Sequence, residues 1–129
     1  MINSVIVQGR LMADPVCGED KNGNRYASLL LACACKKKDR RGFEIIEVTA
    51  WGDVAEIVEQ HWRKGKMMIA SGYLHRNMWI NKEGERRQRY VVVATAVEFA
   101  GNRREDEEDA DKHRDEKYED EPGTGSRGN

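Results

Sequence analysis

The chain has 129 residues, 39% hydrophobic and 35% charged, which suits one small domain with a modest core. Its net charge of −1 hides a division: residues 1–102 carry 16 Lys and Arg against 12 Asp and Glu, whereas residues 103–129 carry 6 against 11. A basic body with an acidic tail points to a polyanion for the body, and no run approaches the roughly 20 apolar residues that cross a membrane.

From Ser4 to Leu11 the residues alternate, with Val5, Val7 and Leu11 on one side and Ser4, Gln8 and Arg10 on the other. That is a strand with one buried face, and Gly9 marks a place where a neighbouring backbone can pass close. The start has no basic segment followed by a long apolar run, so no signal peptide is expected. Asp14-Pro15 and then Gly18 to Asn24 predict a loop.

Arg25 to Cys35 predicts a second strand, closed by the charged turn Lys36-Lys37-Lys38-Asp39-Arg40-Arg41-Gly42. Cys33 and Cys35 fall on one face of that strand about 7 Å apart, too far for an easy disulfide. Together with Cys17 they fit small apolar residues in a reducing cytoplasm. Phe43 to Trp51 is a third strand, with Ile46, Val48 and Ala50 as its core side and Phe43, Ile45, Glu47, Thr49 and Trp51 opposite.

The period then changes. Asp53 with Glu56 resembles a capping box, and Val54, Ile57, Val58, His61 and Trp62 recur at helical spacing. Arg63 and Lys64 suit the last turn, and Gly65 a left-handed cap. Met67 to Leu74 returns to strand, and Asn81-Lys82-Glu83-Gly84 predicts a hairpin turn between Met78-Trp79-Ile80 and Gln88 to Phe99. After Gly101 apolar residues nearly vanish, so 102–129 is expected to be a disordered acidic tail.

Three strands, a helix and two more strands within residues 1–101 is the element order of an OB-fold, an all-β, five-stranded Greek-key barrel with one short helix between strands 3 and 4. No nucleophile elbow, P-loop or metal-ligand spacing occurs, so neither enzyme activity nor a cofactor is expected.

Several pieces of sequence resemble bacterial single-stranded DNA-binding proteins of the SSB type. They are Gly9-Arg10-Leu11 with Asp14-Pro15, Trp51-Gly52 with Ala55-Glu56, and Arg63-Lys64-Gly65 with Gly72-Tyr73-Leu74. The hairpin Trp79 through Tyr90 and the closing Val97-Glu98-Phe99 complete the set, in register over about residues 1–100. The resemblance implies an OB-fold, usually a homotetramer, that binds single-stranded DNA without sequence preference or cofactor. It implies a role in replication, recombination or repair at the nucleoid.

Such binding needs aromatic faces for bases and cations for phosphates. Trp51 and Trp79 stand at the family's stacking positions, although Trp51 could instead close the barrel end. Trp62, on the helix stripe, is expected in the core, while Phe43 and Tyr26 fit either role. Where a branch of the family has further tryptophans this chain has Lys37 and Ile45, which implies weaker stacking and more reliance on charge. Phosphate contacts are expected from Lys36, Lys37, Lys38, Arg40 and Arg41 in one loop. Arg76, Arg86, Arg87 and Arg89 would add to them from the hairpin, with Lys64 after the helix.

The family's tail commonly ends in an acidic, apolar tip that recruits replication and repair proteins. This chain finishes Pro122-Gly123-Thr124-Gly125-Ser126-Arg127-Gly128-Asn129 instead, so its tail is expected to compete with DNA for the basic groove. The residues leave open a primosomal or RNA-binding OB module, or an adaptor whose barrel binds protein.

Overall fold

The computed structural model describes residues 1–37 and 40–100; the side chains of Lys37, Arg40 and Arg41 are outside that description, as are Lys38, Asp39 and the whole acidic segment from Gly101. Its elements run β1 Val5–Leu11, β2 Val16–Glu19, β3 Arg25–Lys37, β4 Arg40–Trp51, α1 Gly52–His61, β5 Met67–Ile80 and β6 Arg86–Phe99. The strands form one sheet in the order β1-β5-β6-β4-β3-β2. Pairing of Arg10 with Ala32 and Leu11 with Leu31 joins β1 back to β3 and closes a five-strand barrel, with α1 between β4 and β5. The expected fold is therefore correct. No helix among the described residues is long and apolar enough to cross a membrane.

The barrel interior follows the period-2 reading. Leu29, Leu31, Val48, Ala50, Met68, Ala70, Val92 and Ala94 point inward and are at most 4% exposed. Gly9 is where the expected close approach occurs: a Cβ there would lie 2.6 Å from the carbonyl oxygen of Ala32.

Several local expectations need correction. The predicted loop after Pro15 holds the short strand β2, paired along the start of β3. Pro15 fixes its own φ and has no N–H to donate, so the first strand bends there instead of running on. The backbone N–H of Lys64 donates to Asp14 Oδ1 at 2.8 Å and ties this bend to the segment after α1. The β2–β3 turn is built by Asp20, whose carboxylate accepts from the backbones of Asn22 and Asn24 and is held below the usual carboxylate range, chiefly by the Asn24 hydrogen bonds.

The capping box does not form. β4 runs directly into α1 through Gly52 at φ +62, the N-cap is Trp51 in an extended conformation, and no side chain caps the helix. Asp53 keeps only a first-turn position, where a carboxylate suits the helix dipole. At the other end the cap is Trp62, also extended, and Arg63 donates to the carbonyls of Glu59 and Trp62. Gly65 is left-handed at φ +91, but in the turn after the helix, where its N–H donates to Leu11 O. The buried face of α1 is Ala55, Val58 and Trp62; Ile57 and His61 are exposed.

The basic run from Lys36 to Gly42 is mostly strand, since Lys36 pairs with Arg41 and Lys37 with Arg40. Likewise, β5 runs unbroken from Met67 to Ile80 against β6, with a bulge at Ser71/Gly72. There Ser71 pairs with Ala96 and Gly72 with Ala94, so Thr95 is the additional residue on β6. A bulge of this kind reverses which alternate residues point inward. Val92 and Ala94 pack on the core before it, and Val97 and Phe99 after it. A Cβ on Gly72 would fall 1.8 Å from Val93 O, so the bulge admits no side chain there.

All three cysteines are free thiols, as expected. Burial pushes the Cys33 thiol above its ordinary value.

Candidate nucleic-acid interface

The outward face of β4 carries Phe43, Ile45, Glu47, Thr49 and Trp51, and its partners on β3 are Ala34, Ala32, Leu30, Ser28 and Tyr26. Phe43, Ile45, Trp51 and Leu30 are 48, 44, 44 and 43% exposed, a large apolar fraction to leave in water. Trp51 meets Tyr26 with ring centroids 5.8 Å apart and planes tilted by 58°. The two rings form a platform at the helix end of the face. Eight residues along β4, roughly 26 Å at strand rise, separate Trp51 from Phe43.

β6 runs parallel to β4 through Val48–Val92, Thr49–Val93 and Ala50–Ala94, and carries this face onto the β5–β6 hairpin. There the register sets Tyr73, His75, Asn77 and Trp79 beside Val93, Val91, Arg89 and Arg87. Trp79 is 42% exposed, and the Arg89 guanidinium lies 5.4 Å from its ring centroid. The same guanidinium meets Glu47 through two contacts, Nε to Oε1 and Nη2 to Oε2, each 3.1 Å. Glu47, Arg89 and Trp79 thus form a stack across two elements. Arg87 is paired with Glu85 at 2.6 Å. The hairpin turn is held by Asn81, whose Oδ1 accepts from the backbones of Glu83 and Glu85, with Gly84 at φ +81.

Trp51, Trp79, Phe43 and Ile45 therefore share one continuous face with Arg87 and Arg89, and Lys36, exposed, is on the same side of β3. Arg76 and Arg86 do not: they pair with Tyr90 and Ile80 and point to the opposite side of the hairpin. Lys64 sits off the strand face, in the segment between α1 and β5. Lys38 is outside the described residues, as are the side chains of Lys37, Arg40 and Arg41. Glu47 and Arg89 as partners were missed, because nothing in the sequence links positions so far apart. Trp62 is in the core, 1% exposed and stacked on Phe99 at 4.6 Å. Among the described residues no cluster of His, Cys, Asp and Glu could hold a metal ion.

Glu47 places a carboxylate among the exposed apolar side chains and arginine of this face. Glu47→Gln is expected to tighten binding of a single strand about two- to fivefold at low salt, with the gain lost at high salt. The released Arg89 can take one more phosphate, so the slope of log affinity against log salt should steepen by about 0.7. Titrations over a salt series measure both, and weaker binding at every salt would show that Arg89 acts only when held by Glu47.

The chain is similar to proteins named for this type of binding. It is 29% identical over 103 residues to the single-stranded DNA-binding protein of Fusobacterium nucleatum, covering 76% of this chain and 66% of that protein. Against single-stranded DNA-binding protein 3 of Clostridium acetobutylicum it is 33% identical over 101 residues, covering 76% and 70%. The single-stranded DNA-binding protein of Caldanaerobacter subterraneus is 28% identical over 133 aligned positions, covering 95% and 89%. Residues 2–100 match the model of the single-strand binding protein family, a span that holds all the strands and the helix of the described residues. The closed barrel, the exposed aromatic face and this match agree: the chain belongs to the single-strand binding protein family.

Proposed function

We propose that this chain binds and protects single-stranded DNA without sequence preference, in replication, recombination or repair. The observation that carries the reading is the row of exposed rings, Trp51 with Tyr26, then Phe43 and Trp79, on one face of a barrel of this family. Every base has a π-face, so stacking on such a row is indifferent to sequence. Ile45 packs against a base edge without the full stacking energy. Phosphates run beside the row on Lys36 and the other cations of that basic run, Lys37, Lys38, Arg40 and Arg41, and on Arg87 and Arg89 from the β5–β6 hairpin. The ion pairs of Arg87 and Arg89 are exposed or half-buried, worth little in water, and readily exchanged for phosphate. Lys64 joins only a strand that continues around the helix end.

Binding of this kind needs no cofactor and no catalytic step. Self-association to a homotetramer is supported by β1, where only Arg10 and Leu11 pair with β3, so the edge from Val5 to Gly9 is open and Ile6 is 71% exposed. An open strand edge is a template for a second chain. The nucleoid is the place of action that this reading requires. The acidic tail serves as a tethered competitor for the basic face, or as the contact for replication and repair proteins.

Tryptophan fluorescence during titration with oligo-dT tests the reading. Strong quenching that weakens as salt rises is expected, with the buried Trp62 supplying a residual signal that DNA does not reach. Absence of quenching at low salt would sink the proposal and favour an adaptor that binds protein.

A further inference from the structure

Past Leu74 and Val91 the β5–β6 hairpin leaves the barrel as a two-stranded ribbon, because β1 pairs with β5 only as far as Gly72 and β4 pairs with β6 only from Val92. Such a ribbon has two faces. One carries Trp79. The register puts Leu74, Arg76, Met78 and Ile80 on the other, across from Val92, Tyr90, Gln88 and Arg86. Four of these side chains are apolar and open to water: Leu74 at 43%, Met78 at 57%, Ile80 at 69% and Tyr90 at 56% exposed. No carboxylate occupies a position on this face. Arg76 and Arg86 make no hydrogen bond or ion pair among the described residues, whereas Arg87 and Arg89 on the Trp79 face are both paired with glutamates.

We propose that this second face of the ribbon also binds single-stranded DNA, with Tyr90 stacking on a base and Arg76 and Arg86 holding the phosphates beside it. The inference rests on the single-strand reading above and extends it: one strand laps over the ribbon and touches both sides. An aromatic ring directly across from one arginine, with a second arginine nearer the tip, matches the alternation of flat apolar bases and charged phosphates. A second copy of the chain presenting the same face would set arginine against arginine with no carboxylate to offset them. The ribbon is thin, about 10 Å by the packing distance of sheets, so a short length of strand passes from one face to the other.

The test compares the full chain with Arg76→Gln/Arg86→Gln and with Tyr90→Ala, after circular dichroism melts confirm that each folds. On poly(dT), the double variant should give a salt slope shallower by about 1.4, the release from two phosphates at about 0.7 each. Both variants should occlude fewer nucleotides per protein. On oligo-dT of about eight nucleotides, within the range one barrel covers, affinity and quenching should hold, because the Trp51–Trp79 face is untouched. If the native chain quenches with the short oligonucleotide but the variants keep the native slope and site size on poly(dT), this proposal is overturned and the single-strand reading stands. If the native chain does not quench, both fall. A change in sedimentation mass with an unchanged salt slope would instead make the face a contact between copies, which also overturns it.

Discussion

Replacing Trp79 with alanine is expected to weaken oligo-dT binding roughly 5- to 150-fold, and Trp51→Ala to act in the same range. The range follows from about 1–3 kcal/mol for each base stacked on an aromatic side chain, at 1.4 kcal/mol per factor of ten. The two sites differ in what surrounds them. Trp51 leans on Tyr26, so its loss leaves a second ring able to take part of the stack. Trp79 has the Arg89 guanidinium against it and no aromatic partner among the described residues, and without the indole that cation is left to Glu47. The larger loss should therefore fall on Trp79→Ala. Loss of stacking must also be separable from loss of charge: both variants should lose affinity at every salt concentration and keep the native slope. Fluorescence anisotropy with labelled oligo-dT measures both quantities. An affinity within twofold of the native chain for both variants would mean that bases do not stack on this face.

The second large effect is on stability. Trp62→Ala is expected to cost about 3–5 kcal/mol, the usual range for removing a large aromatic side chain from a core. Trp62 is 1% exposed, stacks on Phe99 with planes 16° apart, and donates from Nε1 to Met67 O at 3.1 Å. It caps α1 and stands where the chain turns toward β5, so its ring joins the helix to the last strand. Truncation leaves a cavity and takes the indole donor away from the carbonyl of Met67 at the start of β5. In a domain whose whole stability is of order 5–15 kcal/mol, such a change removes a large fraction, and the melting temperature should fall by at least about 12 °C. Thermal unfolding followed by circular dichroism checks this. Trp62→Phe keeps most of the ring and loses only the donor, so it should cost far less. Equal losses from both variants would assign the effect to the hydrogen bond.

Both effects depend on which face each residue occupies, and the sequence revealed that unevenly. β4 was readable because one side of it is buried and the other is not: Ile46, Val48 and Ala50 alternate with Phe43, Ile45 and Trp51, and the structure places both sets as the pattern requires. The barrel order was readable for the same reason, together with the change of period at α1. β2 was not, since its four residues, half-buried at most, carry no alternation to detect. The outer half of β5 was unclear because a free ribbon buries neither face.

The direction in which each hairpin arginine points was the least legible feature. Counting by twos back from Phe99 and Val97 puts Arg89 and Arg87 on the core side. The extra residue at Thr95 reverses that count, and with it the division into Arg87 and Arg89 on one side and Arg86 on the other. A bulge is a local departure of backbone pairing. Gly72 is its one trace in the amino-acid pattern, and a strand glycine equally marks a tight bend or a close backbone approach. The helix cap failed for a related reason: Trp51-Gly52 lets the strand enter the helix without the non-helical residue at Asp53 that a capping box needs.

The order of strand pairing also dictates when this protein can fold. The first strand made, β1, finds its main ladder in β5, where Val5 meets Gly72 and Arg10 meets Met67. Among the described strands, β6 is the link through which β5 reaches β4. On a ribosome, β1 must therefore wait in extended form, with Ile6 and the open edge exposed, until more than half the barrel has been synthesised. The barrel itself cannot close before Phe99 has left the exit tunnel.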